Sequence, residues 1–306
     1  MSKKILFFGN ERLATGVHSG VSTLQALLTS GYDVAAIVVA QAETSKSRSQ
    51  RQLEVSVIAA QYDIPLLSPS DLAAASGQLA GFGAEAAVLI AYGKIVPPAI
   101  LELFPRGIIN IHPSLLPLHR GPTPIENAIL GGDSRTGVSL MGLSAEMDTG
   151  PIYAQQTVAL EGGETKQGLA NQLSAIGVDL VLEYLPKVLD GSAEPKPQAG
   201  TGATYDHLIH KTDGQVDWTK PAARLEREVR AYAGWPRSHA KLGSTEVIIT
   251  QAHVQKGQGE PGTPQADSPG QLAIACGQNI LVIDSLVPAG KKEMSGAAFL
   301  AGHKLN

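Results

Sequence analysis

Three polar residues between positions 107 and 152, Asn110, His112 and Asp148, are of the types needed to move a small acyl group onto an amine. If residues 108–112, IINIH, form a strand, the two-residue period of its side chains puts Asn110 and His112 on one face. That face lies near the carboxyl end, where open parallel sheets place their ligands. A carboxamide is a neutral donor suited to an oxyanion, and an imidazole exchanges protons near neutral pH. Neither is a strong nucleophile, which favours direct attack by the acceptor amine. Asp148 stands in MDTGP after the run GVSLMGL, and Gly150 and Pro151 tighten a turn that could bring its carboxylate back to the same pocket. There it would steady a protonated His112 and help take the proton lost by the amine, while Pro113 and Pro117 stiffen the loop between.

Each residue also has a plainer reading. Polar residues at strand ends often only satisfy backbone groups, and an aspartate is a common turn former. A zinc site on His112, His119 and Asp148 would have suitable ligand atoms, but no cysteine or His-x-x-x-His pair accompanies them, so no metal is expected. Gly9 and Gly16 follow the first apolar run, yet GNERLATG lacks the Gly-x-Gly-x-x-Gly spacing that brings backbone against a pyrophosphate. A strand-to-helix turn is the reading left.

The elements that must position these residues follow from the apolar pattern. KILFFGN, DVAAIVVA, EAAVLIAYG, GIINIH and GVSLMGL are apolar runs without alternation, as strands covered on both faces are. Helical stretches through Leu24, Leu27 and Leu28 and from Val55 to Tyr62 fall between them, with Gly31 and Pro65 at the breaks. The expectation is a doubly wound, mostly parallel α/β domain over residues 1–190, closed by an edge strand in PIYAQQTVAL and a long helix in ETKQGLANQLSAIGVDLVLEYLPKVL. DGSAEPKPQAGTGATY is rich in Pro, Gly and small polar residues and predicts a linker, 191–203, with no packed element. Beyond it, a helix in PAARLEREVRAYAG and short strands in EVIITQAHV, QLAIACG and ILVIDSLV predict a small barrel or sandwich over 204–306.

The whole-chain numbers agree with two folded domains: 306 residues, 43% hydrophobic and 17% charged. A single cysteine, Cys276, cannot form an internal disulfide, and no secretory leader or membrane span is visible, so a cytoplasmic protein is expected, and a monomer. The net charge of −4 gives no general attraction to nucleic acid, so any RNA partner must meet a local patch. The densest basic cluster is Lys46, Arg48 and Arg51, whose plain reading is a solvated loop.

The run from Asn110 through Ile111, His112, Pro113, Ser114, Leu115 and Leu116 to Pro117, followed by Arg120-Gly121 and by Asp148-Thr149-Gly150, closely resembles the signature of the folate-dependent formyltransferases. The resemblance implies that Asn110, His112 and Asp148 are catalytic and that 10-formyltetrahydrofolate is the formyl donor. AYGKIVP, residues 91–97, is similar to the family's segment beside the folate pocket, and SLLP to its tetrahydrofolate-contacting turn. Folate contacts are therefore implied at Ile90, Tyr92, Gly93, Ser114, Leu115, Leu116 and Pro117. Nearly the whole chain resembles the members that formylate initiator methionyl-tRNA for translation initiation. The second-domain matches are VDW at 216–218, LERxxRA at 225–231, WP at 235–236 and PAGKKEMS at 288–295. In those members this domain is an oligonucleotide-binding type of barrel that helps hold the tRNA, and the resemblance implies phosphate contacts for Lys46, Arg48 and Arg51 and a tRNA contact for Arg120.

GNERLATG departs from the family's usual first turn, and the tryptophan expected before Arg120 is absent. The nearest rival is a formyltransferase acting on a nucleotide-linked amino sugar. A rival of another class is a folate- or RNA-binding module without turnover.

Overall fold

The computed structural model describes residues 4–18, 20–40, 54–265 and 270–303. β1 (Lys4–Gly9), α1 (Thr23–Thr29), β2 (Asp33–Val38), α2 (Glu54–Gln61), β3 (Leu66–Leu67), α3 (Ser76–Ala80), β4 (Ala86–Ile90), α4 (Pro98–Leu101) and β5 (Ile108–His112) alternate through the first part of the chain. α5 (Pro124–Gly131), β6 (Arg135–Gly142), β7 (Ile152–Ala159) and α6 (Lys166–Asp190) complete the first unit. Its seven strands lie in the order β3-β2-β1-β4-β5-β6-β7. The first five are parallel; β6 runs antiparallel to β5 and β7 antiparallel to β6, so β7 points the same way as β5.

The unalternating runs are strands buried on both faces. β1 sends Ile5 and Phe7 into one core and Leu6 and Phe8 into another on the opposite side of the sheet. The same alternation on β5 sends Ile109 and Ile111 toward α6 and leaves Asn110 and His112 on the other face. α6 begins at the Thr165 cap, whose hydroxyl accepts from the Gly168 N–H, and ends at Gly191 in the left-handed conformation. It presses closely on β5: a Cβ at Gly177 would lie 2.6 Å from Ile111 Cγ2, so the helix can back this strand because that position has no side chain.

The second unit contains a 3-10 turn at Lys211–Gly214, then α7 (Ala222–Ala231), β8 (Ser238–Leu242), β9 (Thr245–Gln255), β10 (Leu272–Ala275), β11 (Ile280–Pro288), β12 (Met294–Ser295) and α8 (Gly296–Gly302). The strands form an antiparallel half-barrel, β10-β11-β9-β8 with β12 on β11, around Leu225, Val229, Ile249, Leu281, Ile283 and Phe299. β8 is not visible as a strand in the sequence, because the run SHAKL is short and holds only two apolar residues, Ala240 and Leu242.

DGSAEPKPQAGTGATY is expected to be a linker with no packed element of its own. It forms no regular element, but Lys196 and Ile152 exchange backbone hydrogen bonds of 2.8 Å, which lays the segment along the free edge of β7. Backbone amides that no helix or strand uses find partners on a neighbouring edge instead. Among the described residues no helix is long and apolar enough to cross a membrane.

Candidate active site

β5 ends at His112, and the chain turns at once through Pro113 and Ser114, so Asn110 and His112 stand at the carboxyl edge of the sheet. Both are buried, at 6% and 4% exposure. The His112 Nε2 lies 2.9 Å from the His119 carbonyl oxygen. A carbonyl only accepts, so Nε2 carries the hydrogen and the neutral ring keeps its lone pair on Nδ1. Nδ1 faces Asp148, with Oδ1 at 3.8 Å. The other carboxylate oxygen of Asp148 accepts from the Gly121 N–H at 2.8 Å. Asn110 makes no side-chain hydrogen bond among the described residues, which leaves a buried amide able to donate to an oxygen that gains charge. The structure thus gathers all three residues singled out in the sequence at one sheet end.

Asp148 has φ 53, the left-handed region that non-glycine residues seldom occupy. Two glycines permit the tight approach around it. A Cβ at Gly150 would lie 1.8 Å from the Gly142 carbonyl oxygen, and at Gly121, φ 116, it would lie 2.5 Å from the Asp206 carbonyl oxygen.

Profiles of the formyl transferase family match residues 3–185, and of the formyl transferase C-terminal domain residues 208–304. A methionyl-tRNA formyltransferase from Myxococcus xanthus (strain DK1622) is 38% identical over 306 residues, covering 99% of this chain and 96% of that protein. The chain belongs to the methionyl-tRNA formyltransferase family. Two solved structures share the fold. HypX from Aquifex aeolicus in complex with tetrahydrofolic acid superposes with a TM-score of 0.64 at 20% identity, over 97% of this chain and 46% of that one. An N-formyltransferase from Helicobacter canadensis in complex with folinic acid and dTDP-3-aminofucose does so with 0.66 at 17%, over 96% and 100%.

In this formyltransferase the segments expected to meet folate are built mainly from inward side chains. Ile90 and Tyr92 are buried, Tyr92 with its ring edge-on to Phe8 at 5.6 Å. Ser114 is fully buried and donates to the Leu118 carbonyl at 2.7 Å, and Leu116 is buried as well. What these four can offer a ligand is backbone and shape, whereas Leu115, Pro117 and Gly93 keep exposed surface. The loop is clamped from β6 and β7. Ser139 Oγ donates to the Ser114 carbonyl at 2.6 Å and accepts from the Leu116 N–H at 3.0 Å, and Gln155 Nε2 donates to Ser139 Oγ and the Leu116 carbonyl. Sequence reasoning missed Ser139, although its register opposite His112 on β6 follows once the two strands are paired antiparallel.

Arg120 requires a correction. Expected to contact tRNA, it is 8% exposed, and its guanidinium is spent on Gln198 Oε1 at 2.8 and 3.2 Å and on the Tyr205 hydroxyl at 2.6 Å. Lys46, Arg48 and Arg51 lie outside the described residues. His119, weighed as a metal ligand, has both ring nitrogens on carboxylates, Asp133 at 2.8 Å and Asp206 at 3.1 Å, and the Asp206 bond in first place raises its pKa. A cleft of about 470 Å³ opens between Arg120, Thr149, Pro151, Pro197 and Gln198. A separate cleft of about 370 Å³ between the two units reaches Asp133, and its Arg227 and Arg230 are already bonded to the Leu130 and Glu164 carbonyls.

Proposed function

We propose that this enzyme transfers the formyl group of 10-formyltetrahydrofolate to the free amino group of initiator methionyl-tRNA, in the cytoplasm, for translation initiation. The single observation that carries the chemistry is the convergence of the unpaired Asn110 amide, the His112 ring with its free Nδ1, and the Asp148 carboxylate at one end of the sheet. The choice of acceptor is supported by the full-length likeness to a methionyl-tRNA formyltransferase.

Asn110 donates to the formyl oxygen as the amine's attack turns it into an oxyanion. His112 takes the proton released by the amine at Nδ1, and the resulting imidazolium is stabilised by the Asp148 carboxylate facing that atom and by the His119 carbonyl on the other nitrogen. The new carbon–nitrogen bond is then kept as the bond to the folate nitrogen breaks, and the proton held by His112 passes to that departing nitrogen. Folate would lie against Leu115, Pro117, Gly93 and the backbone of residues 90–92 and 114–116, which the Ser139 clamp holds still. Residues 1–190 are the catalytic domain, 191–203 the linker, and 204–306 the domain that helps hold the acceptor, while Lys46, Arg48 and Arg51 of the first domain meet tRNA phosphates.

The test is to incubate the protein with labelled 10-formyltetrahydrofolate and either charged initiator tRNA or a nucleotide-linked amino sugar. Label on the methionyl amine alone is expected. Label on the sugar alone would replace the acceptor, and label on neither, with folate still bound, would leave a binding module.

A further inference from the structure

Both groups that flank the His112 ring are held by the chain leaving the first unit. On the Nε2 side, the His119 N–H donates to Thr204 Oγ1 at 2.7 Å, the Arg120 N–H to the Thr204 carbonyl at 2.9 Å, and the Asp206 N–H to the Arg120 carbonyl at 2.7 Å. On the Nδ1 side, Gln198 Nε2 donates to the carbonyl of Asp148 itself at 2.7 Å and to that of Gly150 at 2.8 Å. The amide has one orientation. A guanidinium only donates, so Oε1 must face Arg120, and carbonyls only accept, so both Nε2 hydrogens go to the Asp148 turn. That turn contains a non-glycine residue at φ 53, a conformation that persists only where its surroundings hold it.

We infer that Gln198 is a positioning residue for formyl transfer. Its amide fixes the backbone of the Asp148 turn, and with it the carboxylate facing His112, and so ties catalytic geometry to the segment that leads into the second domain. The inference rests on Asn110, His112 and Asp148 being the formyl-transfer residues.

Three variants of the full chain test it: Gln198→Ala, Gln198→Glu, and Lys196→Ala, which removes no side-chain bond to the turn. Glutamate keeps an acceptor for Arg120 but has no hydrogens for the two carbonyls, so it separates holding Arg120 from holding Asp148. In both Gln198 variants kcat should fall roughly 10- to 100-fold, the size expected of a small misplacement. KM for each substrate should stay within about threefold of wild type. Amide exchange at Gly121, whose N–H is bonded to the Asp148 carboxylate, should quicken, and Lys196→Ala should behave as wild type in all respects. Wild-type kcat in Gln198→Glu, or unchanged Gly121 exchange in both Gln198 variants, overturns the inference. If the wild-type protein formylates no methionyl-tRNA, the function reading fails, and Gly121 exchange still decides the positioning: faster exchange supports it and unchanged exchange ends it.

Discussion

At the scale of single residues, the assignment of roles turns on which His112 nitrogen carries hydrogen, and the His119 carbonyl decides it. Asn110→Ala removes the donor aimed at the oxyanion, so kcat should fall about 10²–10³-fold with little change in the dissociation constant for folate, measured by steady-state kinetics and by calorimetry. Asp148→Asn preserves shape but removes the charge that balances an imidazolium, and a loss of about 10²–10⁴-fold in kcat is expected. Unchanged turnover in Asp148→Asn would refute the proton route set out here.

At the scale of elements, β6 and β7 act on the site by clamping the loop after β5. Ser139→Ala strands the Leu116 N–H without its acceptor in a buried position and should cost about 1–3 kcal/mol in unfolding experiments. Because the loosened loop is the one expected to meet folate, KM for the donor should rise more than kcat falls. His119 ties the same loop to the end of α5 through Asp133 and to the segment between the two units through Asp206. Its folded pKa is raised above the ordinary value of 6.5, so its stabilisation is fully present below that value and is lost as pH rises through the folded pKa. The difference in melting temperature between wild type and His119→Ala should therefore be largest at acid pH and shrink on the alkaline side. A difference that grows with pH would contradict this.

At the scale of the whole molecule, the two domains meet through groups that each bind a backbone carbonyl of the other. Arg224 and Arg227 donate to Leu130 at the end of α5, and Arg230 to Glu164. Lys166, fully buried, donates to the Thr15 and Trp235 carbonyls and lies 3.6 Å from Glu126. Burial pushes the Glu126 carboxyl up and the Lys166 ammonium down, so each depends on the other to remain charged. Lys166→Met would leave Glu126 buried without its partner and should destabilise the protein by roughly 3–5 kcal/mol at neutral pH. Since a carboxyl with a raised pKa loses its favourable contribution as pH rises, the deficit should shrink as pH falls and Glu126 takes up a proton, which denaturant titrations at several pH values would read.

Local pattern gave the fold class, and with the family resemblance it singled out Asn110, His112 and Asp148 as candidates. Unalternating runs such as KILFFG and IINIH read as strands covered on both faces, and on such a strand the two-residue period of IINIH places Asn110 with His112. Arg120, Ser139 and Gln198 were beyond that reach. Arg120 looked like an exposed cation, yet its partners stand 78 and 85 residues away, and Gln198 lay in a stretch whose composition promised no structure. Periodicity reports which face a residue takes on its own element, but which distant backbone group meets it depends on how domains and edges pack, and only the tertiary structure decided that.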